Sequence, residues 1–514
     1  MALVSNPILS GCYPDPSICR VGSDYYLVTS TFEYFPGLPV FHSTDLATWT
    51  QIGSVIDREG QLDYTGIPSS GGLYAPTIRY HDGLFWVVCT MVYPDEPDRA
   101  GNFVVTAADP AGPWSDPIWL GTAGIDPSIF FDDDGRVWFH GTRLALEPQW
   151  HDQTEVWVRE YDPVAQQLIG PETVIWRGAQ LGVVWAEGPH LYKIDGRYYL
   201  MAAEGGTEIH HSECVARADA VTGPYEGNRA NPVLTHRHLG RHADVVGVGH
   251  ADLVQAVDGS WWAVALAMRP YGGYHYPLGR ETFLIPVTWE DGWPVFAPGL
   301  GRVPSAVEVP FAGAAVAPVD EAIGPDDLRW TSLRGPASFA SPHGQGWRLH
   351  PTAEDLTTPG RAAFLGVRQT DRAADFAFTL HGRIAEREEA GLVVRQSEQD
   401  HVRLAVQPGD GGLVVSLVHR QAGAETTLGT ALLASEASGV RLSVRIRAAT
   451  YAFSVVAGDG TPVLVGTADG TTLDTVSTGG FLGLWLGVYA TSHGRESATV
   501  LDVDEVVYRP VPRA

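Results

Sequence analysis

The chain has 514 residues, of which 44% are hydrophobic and 18% charged, a balance that excludes a disordered or fibrous protein. Its 60 acidic residues against 34 basic ones give a formal net charge of −26, which argues against nucleic acid or another polyanion as a partner. The sequence contains no apolar run of the roughly 18–20 residues that a membrane span needs, so we expect no membrane partner.

The first residues lack a basic segment followed by a long apolar stretch, so the sequence predicts no signal peptide. The four cysteines show no paired spacing, and we expect them to be buried, reduced thiols. Both features favour a cytoplasmic location. The cysteines are Cys12, Cys19, Cys89 and Cys214.

A fivefold repeat occupies the first 300 residues. Each unit consists of a short strand, a turn with glycine, and a strand rich in aromatic and aliphatic residues. The length of one repeat unit suits a four-stranded antiparallel blade, so the repeat predicts a five-bladed β-propeller. A β-sandwich whose segments resemble one another by chance would not explain five equivalent units. The units begin at Asp15, Ala75, Asp126, Gly188 and His250.

The repeat stops near residue 300, and a second region of different character follows. Short alternating runs, separated by Gly and Asp turns, predict an antiparallel β-sandwich in that region. The sequence therefore predicts an all-β protein of two domains. They are a propeller at 1–305 and a β-sandwich at 328–514, joined by a connector at 306–327 that is rich in Ala, Pro, Val and Gly.

Equivalent positions of all blades in a propeller converge on the mouth of its central channel. The repeat therefore brings Asp15, Asp126 and His250 together with Glu187, which directly precedes Gly188. An alternative is that Asp-Pro only forms a good turn at the start of a strand. That alternative explains the two aspartates one at a time, but not the other two residues.

A pair of carboxylates across a pocket is what glycoside hydrolysis requires, with one as proton donor and the other activating water. A third carboxylate can raise the pKa of the acid by like-charge repulsion. Phe32, Tyr74, Trp185 and Arg280 lie close in sequence to the channel positions and are candidates to hold a sugar. Packing between blades is the alternative explanation for the aromatic residues.

These residues resemble glycoside hydrolase family 43, in particular its β-xylosidase and α-L-arabinofuranosidase members. The second domain is similar to the concanavalin-like sandwich, a jelly roll, that follows the propeller in many β-xylosidases of this family. The matching segments are GCYPDPS at 11–17, TFEYFPG at 31–37, APTIRY at 75–80, GIDPS at 124–128, AEGPHLY at 186–192 and LGRETF at 278–283.

The resemblance implies a role for each catalytic candidate. Asp15 matches the general base, Glu187 the general acid, and Asp126 the residue that tunes and orients that acid. Family members invert the anomeric configuration, so the acid and base are expected roughly 6.5–9.5 Å apart.

The resemblance also implies further contacts. Arg280 matches an arginine that binds the sugar and supports the acid, and Phe32 fits the wall of the glycone pocket. His250 matches a histidine deep in the channel, which can hold Ca²⁺ or another divalent cation through water. No cofactor is expected to be required.

The sequence departs from the family pattern near the expected sugar. Tyr74 stands where these β-xylosidases usually have Trp, and Trp185-Ala186 stands where many members have Tyr-Pro. In related enzymes a sandwich loop closes the pocket and enforces exo action. Residues 478–481, ending in Phe481, are the candidate here.

The predicted function is an exo-acting inverting hydrolase that releases terminal β-1,4-linked D-xylose from xylo-oligosaccharides, which a cytoplasmic enzyme could receive by import. The alternative is an α-L-arabinofuranosidase, or an enzyme with both activities acting on arabinose-containing oligosaccharides. The retaining fructan hydrolases also have five blades and three acids, but their Asn-Asp-Pro-Asn-Gly motif is absent. A non-catalytic carbohydrate-binding propeller would be expected to lack one acid. A homo-oligomer is left open.

Overall fold

A computed structural model describes residues 2–311, 321–434, 439–458 and 460–511. Across these ranges the regular secondary structure consists almost entirely of β-strands, as predicted. Within the same ranges, no helix has the length and apolar character needed to cross a membrane. The helical segments are the α-helix Thr475–Thr478 and the 3₁₀ turns Pro97–Arg99, Arg237–Leu239 and Gly470–Thr472.

Five antiparallel sheets follow one another along the first half, and each contains one unit of the repeat. Sheet 1 comprises Ser17–Val21, Asp24–Val28, Gly37–Ser43 and Thr50–Ile56. Sheet 2 comprises Gly72–Leu73, Thr77–His81, Leu84–Val92, Gly101–Ala107 and Ile118–Leu120. Sheet 3 comprises Ile125–Phe131, Val137–Leu144, Thr154–Asp162 and Gln167–Trp176. Sheet 4 comprises Glu187–Ile194, Arg197–Glu204, Ser212–Ala218, Glu226–Gly227 and Leu234–Thr235. Sheet 5 comprises Val246–Gln255, Trp261–Met268, Glu281–Glu290 and Trp293–Phe296.

The glycine of each repeat unit forms the hairpin turn between the first two strands of the unit. All five have φ between 63° and 85°, a region that residues with a Cβ rarely adopt. Glycine at these turns therefore allows the tight hairpins that the sequence predicts. The five residues are Gly22, Gly83, Gly135, Gly196 and Gly259.

The first strands of the units contact one another in cyclic order. Ser17–Val21 contacts Thr77–His81, which contacts Ile125–Phe131, and that strand contacts Glu187–Ile194. Val246–Gln255 then contacts both Glu187–Ile194 and Ser17–Val21. This arrangement is consistent with a propeller, and it brings the beginnings of all five units to one axis.

The second half contains two stacked sheets, as predicted for a β-sandwich. Alternating burial along Val440–Arg447 shows how one face of each strand supplies the core. Sheet 6 comprises Ala340–His343, Gly346–Leu349, Leu501–Pro510, Ala373–His381, Val440–Arg447, Thr450–Ala457 and Val463–Asp469. Sheet 7 comprises Ala363–Arg368, Trp485–Thr491, Glu389–Arg395, His401–Gly409, Gly412–Gln421 and Ala424–Ala434.

Two short strand pairs join distant parts of the chain. Ala2–Ser5 pairs with Ala306–Val309, so the beginning of the predicted connector forms a strand against the N-terminal segment. Tyr34–Phe35 pairs with Ser332–Leu333, which ties the first half to the second. Residues 312–320 of the predicted connector lie outside the described ranges, and the domain boundaries stay a prediction.

All four cysteines are free and buried, which agrees with the expectation of unpaired thiols.

Candidate active site

Four of the five repeat units begin with the same unusual backbone conformation. Asp15, Asp126, Gly188 and His250 have φ of 55°, 52°, 56° and 52°. Such values are costly for residues with a Cβ and are concentrated at functional sites. The predicted equivalence of these positions is therefore visible in the backbone.

Irregular strand pairing directs the acidic side chains out of these strands. The register shifts between Ile125 and Ser128 in sheet 3, and between Glu187 and His190 in sheet 4. A bulge of this kind bends a strand and redirects a side chain. Gly188 occupies the left-handed position in sheet 4, so the carboxylate comes from the residue before it. A Cβ at Gly188 would lie 2.8 Å from the His250 ring, which explains the glycine.

A pocket at the shared end of these strands gathers most of the predicted site residues. It encloses about 390 Å³ of space, part of which is open to solvent. We call it the active-site pocket. It is lined by Asp15, Phe32, Tyr74, Ala75, Ile125, Asp126, Glu187, Thr207, His250, Arg280 and Phe481.

Asp15 is buried and held from both sides. Arg280 Nη1 donates a hydrogen bond to Oδ1 at 2.7 Å, and Ser30 Oγ donates one to Oδ2 at 2.6 Å. His250 Nδ1 lies 3.9 Å from the same Oδ1. These contacts fix the orientation of a carboxylate that could accept a proton from water.

Asp126 accepts a hydrogen bond from the Gly188 N–H at 3.1 Å. Burial raises the pKa of Asp126 to about 6, and the Asp15 carboxylate acts in the same direction, while His250 and the Gly188 hydrogen bond oppose the rise. The Gly188 contact places the Asp126 carboxylate directly beside the peptide that follows Glu187.

Glu187 is half-buried at the edge of the pocket. Burial, followed by the charges of Asp126 and Asp15, raises the pKa of Glu187 well above its ordinary value, and Arg280 opposes the rise. A carboxyl group that keeps its proton near neutral pH can act as a general acid.

Three aromatic rings form the wall of the active-site pocket. The ring centroids of Phe32, Tyr74 and Phe481 lie 5.6–5.9 Å from one another. The Arg280 guanidinium lies 5.6 Å from the centroid of Phe32 and 5.4 Å from that of Phe481. Phe481 comes from the sandwich half, and its N–H donates to Ser70 Oγ at 2.9 Å. Both halves of the chain therefore build this pocket.

Trp185 does not line the active-site pocket, although it lies two residues before Glu187. It is half-buried with φ of 51°, and its N–H donates to the Asp152 carbonyl at 3.1 Å. A substrate contact of Trp185 therefore stays a prediction.

A metal ion at His250 also stays a prediction. Across the described part of the chain, no three His, Cys, Asp or Glu side chains are grouped so that they could hold an ion. The residues around His250 thus offer no set of direct ligands, and the mechanism below includes no metal.

The first strands of the units also carry a buried hydrogen-bond network that was not predicted from the sequence. Asp252 accepts hydrogen bonds from Ser17 Oγ at 2.7 Å, from Tyr192 OH at 2.6 Å and from Arg79 at 2.8 and 3.1 Å. His190 Nδ1 lies 3.0 Å from Arg79 Nη2. The signal was present, because each unit has a polar residue two positions after its start. These residues are Ser17, Thr77, Ser128, His190 and Asp252.

The interface between the two halves contains a second set of buried charges. We call Glu33, Arg334, Arg395 and Glu398 the junction cluster. Arg395 donates to Glu33 at 3.2 Å and to Glu398 at 2.9 Å, and Arg334 pairs with Glu398. Glu33 also accepts from the Ser70 N–H at 3.1 Å, so the cluster supports the segment that holds Phe481.

The chain matches two family models. Residues 4–294 match the glycosyl hydrolases family 43, and residues 326–509 match the beta xylosidase C-terminal concanavalin A-like domain.

Three similar proteins extend over nearly the whole chain. A xylosidase/arabinosidase of Butyrivibrio fibrisolvens is 40% identical and covers 98% of both chains. A non-reducing end α-L-arabinofuranosidase of Bacteroides ovatus is 41% identical, covering 98% of this chain and 94% of the relative. The crystal structure of a xylan β-1,4-xylosidase from Bacillus halodurans superposes with a TM-score of 0.91 at 34% identity, covering 98% of this chain and all of that one.

Proposed function

Because this chain belongs to glycosyl hydrolase family 43, we propose that it is an exo-acting inverting hydrolase that releases terminal β-1,4-linked D-xylose from xylo-oligosaccharides. In this proposal the five sheets are the blades of a five-bladed propeller, which the cyclic contacts of their first strands support. We also propose a cytoplasmic location, where short imported oligosaccharides would be the substrates.

The observation that carries the proposal is the convergence of three carboxylates on one pocket. Glu187 donates its proton to the glycosidic oxygen while Asp15 removes a proton from the attacking water. Water then forms the new bond to the anomeric carbon as the bond to the leaving sugar breaks. Asp126 favours the protonated form of Glu187 before the reaction, since its charge opposes a second negative charge nearby.

Exo action is supported by the shape of the active-site pocket. The three aromatic rings and Arg280 form a wall on one side, to which the sandwich half contributes Phe481. Such a wall can stack against a terminal sugar and close that side of the pocket. Arg280 can meanwhile donate to sugar hydroxyls, since its bonds to Asp15 and Thr207 both use Nη1 and its other nitrogens have no hydrogen-bond acceptor among the described residues.

An α-L-arabinofuranosidase, or an enzyme with both activities, is the second candidate. Tyr74 favours it, because this ring is smaller than the Trp usual in the β-xylosidases and has a hydroxyl group near the sugar. The name of the Bacteroides ovatus relative points the same way.

The test is a paired assay of aryl β-D-xyloside and aryl α-L-arabinofuranoside, with Glu187→Gln as the control. Dominant turnover of the xyloside, reduced in the variant, would support the first candidate. Dominant turnover of the arabinofuranoside would keep the mechanism and support the second. Folded protein that turns over neither would overturn both.

A further inference from the structure

A second polar cleft lies in the sandwich half, on sheet 7. It shares no lining residue with the active-site pocket, and none of its residues takes part in the mechanism above. We call it the sandwich cleft. It is lined by Asp355, Leu356, Thr357, Glu389, His401, Arg403, Arg420, Glu425, Tyr489, Thr491 and His493.

The charges of the sandwich cleft are largely paired with one another. Arg403 donates to Glu389 at 3.0 Å and to both oxygens of Glu425 at 2.8 and 3.1 Å. Glu389 also accepts from Tyr489 OH at 2.6 Å. An added anion would therefore meet carboxylates, while no group of described residues is arranged to hold a metal cation. The cleft is suited to a neutral ligand.

His401 provides an acceptor that has no partner among the described residues. The side chain is fully buried, and its Nδ1 lies 3.1 Å from the Ser397 carbonyl oxygen. Nδ1 must donate to that carbonyl, so Nε2 of the neutral ring is left as an acceptor. Burial lowers the pKa of His401 to about 3, which keeps the ring neutral. In the part of the chain that the structure describes, Nε2 has no hydrogen-bond partner, and a buried polar atom without one is costly.

A second acceptor and a donor complete the cleft. Asp355 Oδ1 accepts from the N–H and the hydroxyl of Thr357, while Oδ2 makes no hydrogen bond to the described residues. Arg420 donates through Nε to the Glu398 carbonyl, and its Nη1 lies 3.6 Å from Glu425. Its terminal nitrogens therefore retain donor capacity.

We propose that the sandwich cleft is a second binding site for a neutral saccharide, whose hydroxyl groups donate to His401 Nε2 and Asp355 Oδ2 and accept from Arg420. A ligand with both donors and acceptors and no net charge can use all three groups. The choice of a pentose oligosaccharide as the probe depends on the proposed function; the site itself does not.

The test uses the full-length Glu187→Gln variant, which should not consume the probe. The imidazole resonances of His401 are followed by NMR during titration with xylotriose, arabinotriose or sulfate. We expect a saturable shift with at least one trisaccharide. Asp355→Asn, which keeps the Thr357 contacts through Oδ1, should weaken this binding about tenfold, since about one hydrogen bond is lost.

Two further variants separate binding from structural effects. His401→Phe lacks the reporter ring, so its xylotriose binding is followed by calorimetric titration; it should lose binding at the sandwich cleft and keep binding at the active-site pocket. His419→Phe is the matched control, because His419 lies on the adjacent strand, contacts Thr472 and does not line the cleft. It should leave binding at the sandwich cleft and at the active-site pocket unchanged.

Two results would overturn the inference: no shift of His401 with either trisaccharide, or a shift with sulfate alone. Inactivity of the native enzyme on both aryl glycosides would instead overturn the proposed function. That result would leave this site intact, because its titration does not require turnover.

Discussion

The active-site pocket and the junction cluster both bury carboxylates, but they balance the charge differently. The junction cluster pairs two glutamates with two arginines, and Arg395 contacts both glutamates. The pocket places three carboxylates around Arg280, which contacts Asp15, with His250 nearby. The two regions therefore have similar chemical groups and a different net charge.

The pKa values follow this difference. Although burial opposes it, Arg395 and Arg334 lower the pKa of Glu398 to about 2, so Glu398 remains ionised. In the pocket, burial and the neighbouring carboxylates raise the pKa of Glu187. The two glutamates of the junction cluster differ, because burial raises the pKa of Glu33. Matched buried charges join the halves here, while the unmatched charges of the pocket favour the proton on Glu187 that the proposed mechanism uses.

The largest expected effect comes from removing the proton donor of the pocket. Glu187→Gln should lower kcat by about 10²–10⁴-fold on a substrate with a poor leaving group, because general acid catalysis is lost. The loss should be smaller with an aryl leaving group that departs without a proton. Steady-state kinetics on both substrate types measure the difference. Unchanged turnover on the poor leaving group would contradict the assignment of Glu187 as the acid.

The junction cluster should respond in stability. Arg395→Met should destabilise the protein by about 3–5 kcal/mol, because Glu33 and Glu398 lose a shared partner in a buried site. The thermal unfolding midpoint measures this effect. Arg441→Met is the control, since the Arg441–Glu505 pair is exposed and should contribute about 1 kcal/mol or less. Equal shifts in the two variants would show that burial of the cluster does not matter.

The third prediction concerns the pH dependence of the pocket. Glu187 must be protonated to act, so activity should fall as the pH rises through its raised pKa. Asp126→Asn removes one of the charges that raise this pKa. The alkaline limb of kcat/KM should then move to lower pH, by about one unit.

The control for this pH shift is Ser30→Ala, which removes a hydrogen bond to Asp15 and leaves the charges around Glu187 in place. It should not move the alkaline limb. An alkaline limb that stays in place in Asp126→Asn would show that the Asp126 charge does not raise the pKa of Glu187.

A smaller effect is expected where the two regions meet. Phe481→Ala should lower kcat/KM about tenfold, because the sugar loses an aromatic wall supplied by the sandwich half. Val476→Ala, at an exposed position nearby on Thr475–Thr478, should leave kcat/KM unchanged. Equal activity of Phe481→Ala and the native enzyme would show that the sandwich does not form part of the working site.

Different parts of the site differed in how far the sequence could predict them. Asp15, Asp126 and His250 follow from the repeat, because one local backbone conformation recurs at the start of four of the five units. Glu187 lies one position before the start of its unit. The register shift that allows this cannot be recognised from the residue types. Asp252 was missed despite a visible pattern of polar residues.

The junction cluster could not be predicted in this way. Glu33 and Arg395 are separated by 362 residues, and nothing local in the sequence indicates that they form a pair. Phe481 was named only through the resemblance to a family, for the same reason. Local conformation leaves a signal in a single sequence, whereas contacts between domains depend on packing over a long range.

The smallest expected effect is a change of preference within the active-site pocket. Tyr74 contacts Phe32 and Phe481, so Tyr74→Trp would extend the wall and remove a hydroxyl group near the sugar. The ratio of kcat/KM for aryl β-D-xyloside to that for aryl α-L-arabinofuranoside should rise about tenfold, the usual scale for a change of wall size. Tyr74→Phe is the matched control, because it removes only the hydroxyl group. If both variants change the ratio equally, the hydroxyl group determines the preference; a fall in the ratio with Trp would show that the larger wall excludes xylose. Under the expected result, the unmatched charges of the pocket determine the reaction, and its aromatic wall determines which sugar is preferred.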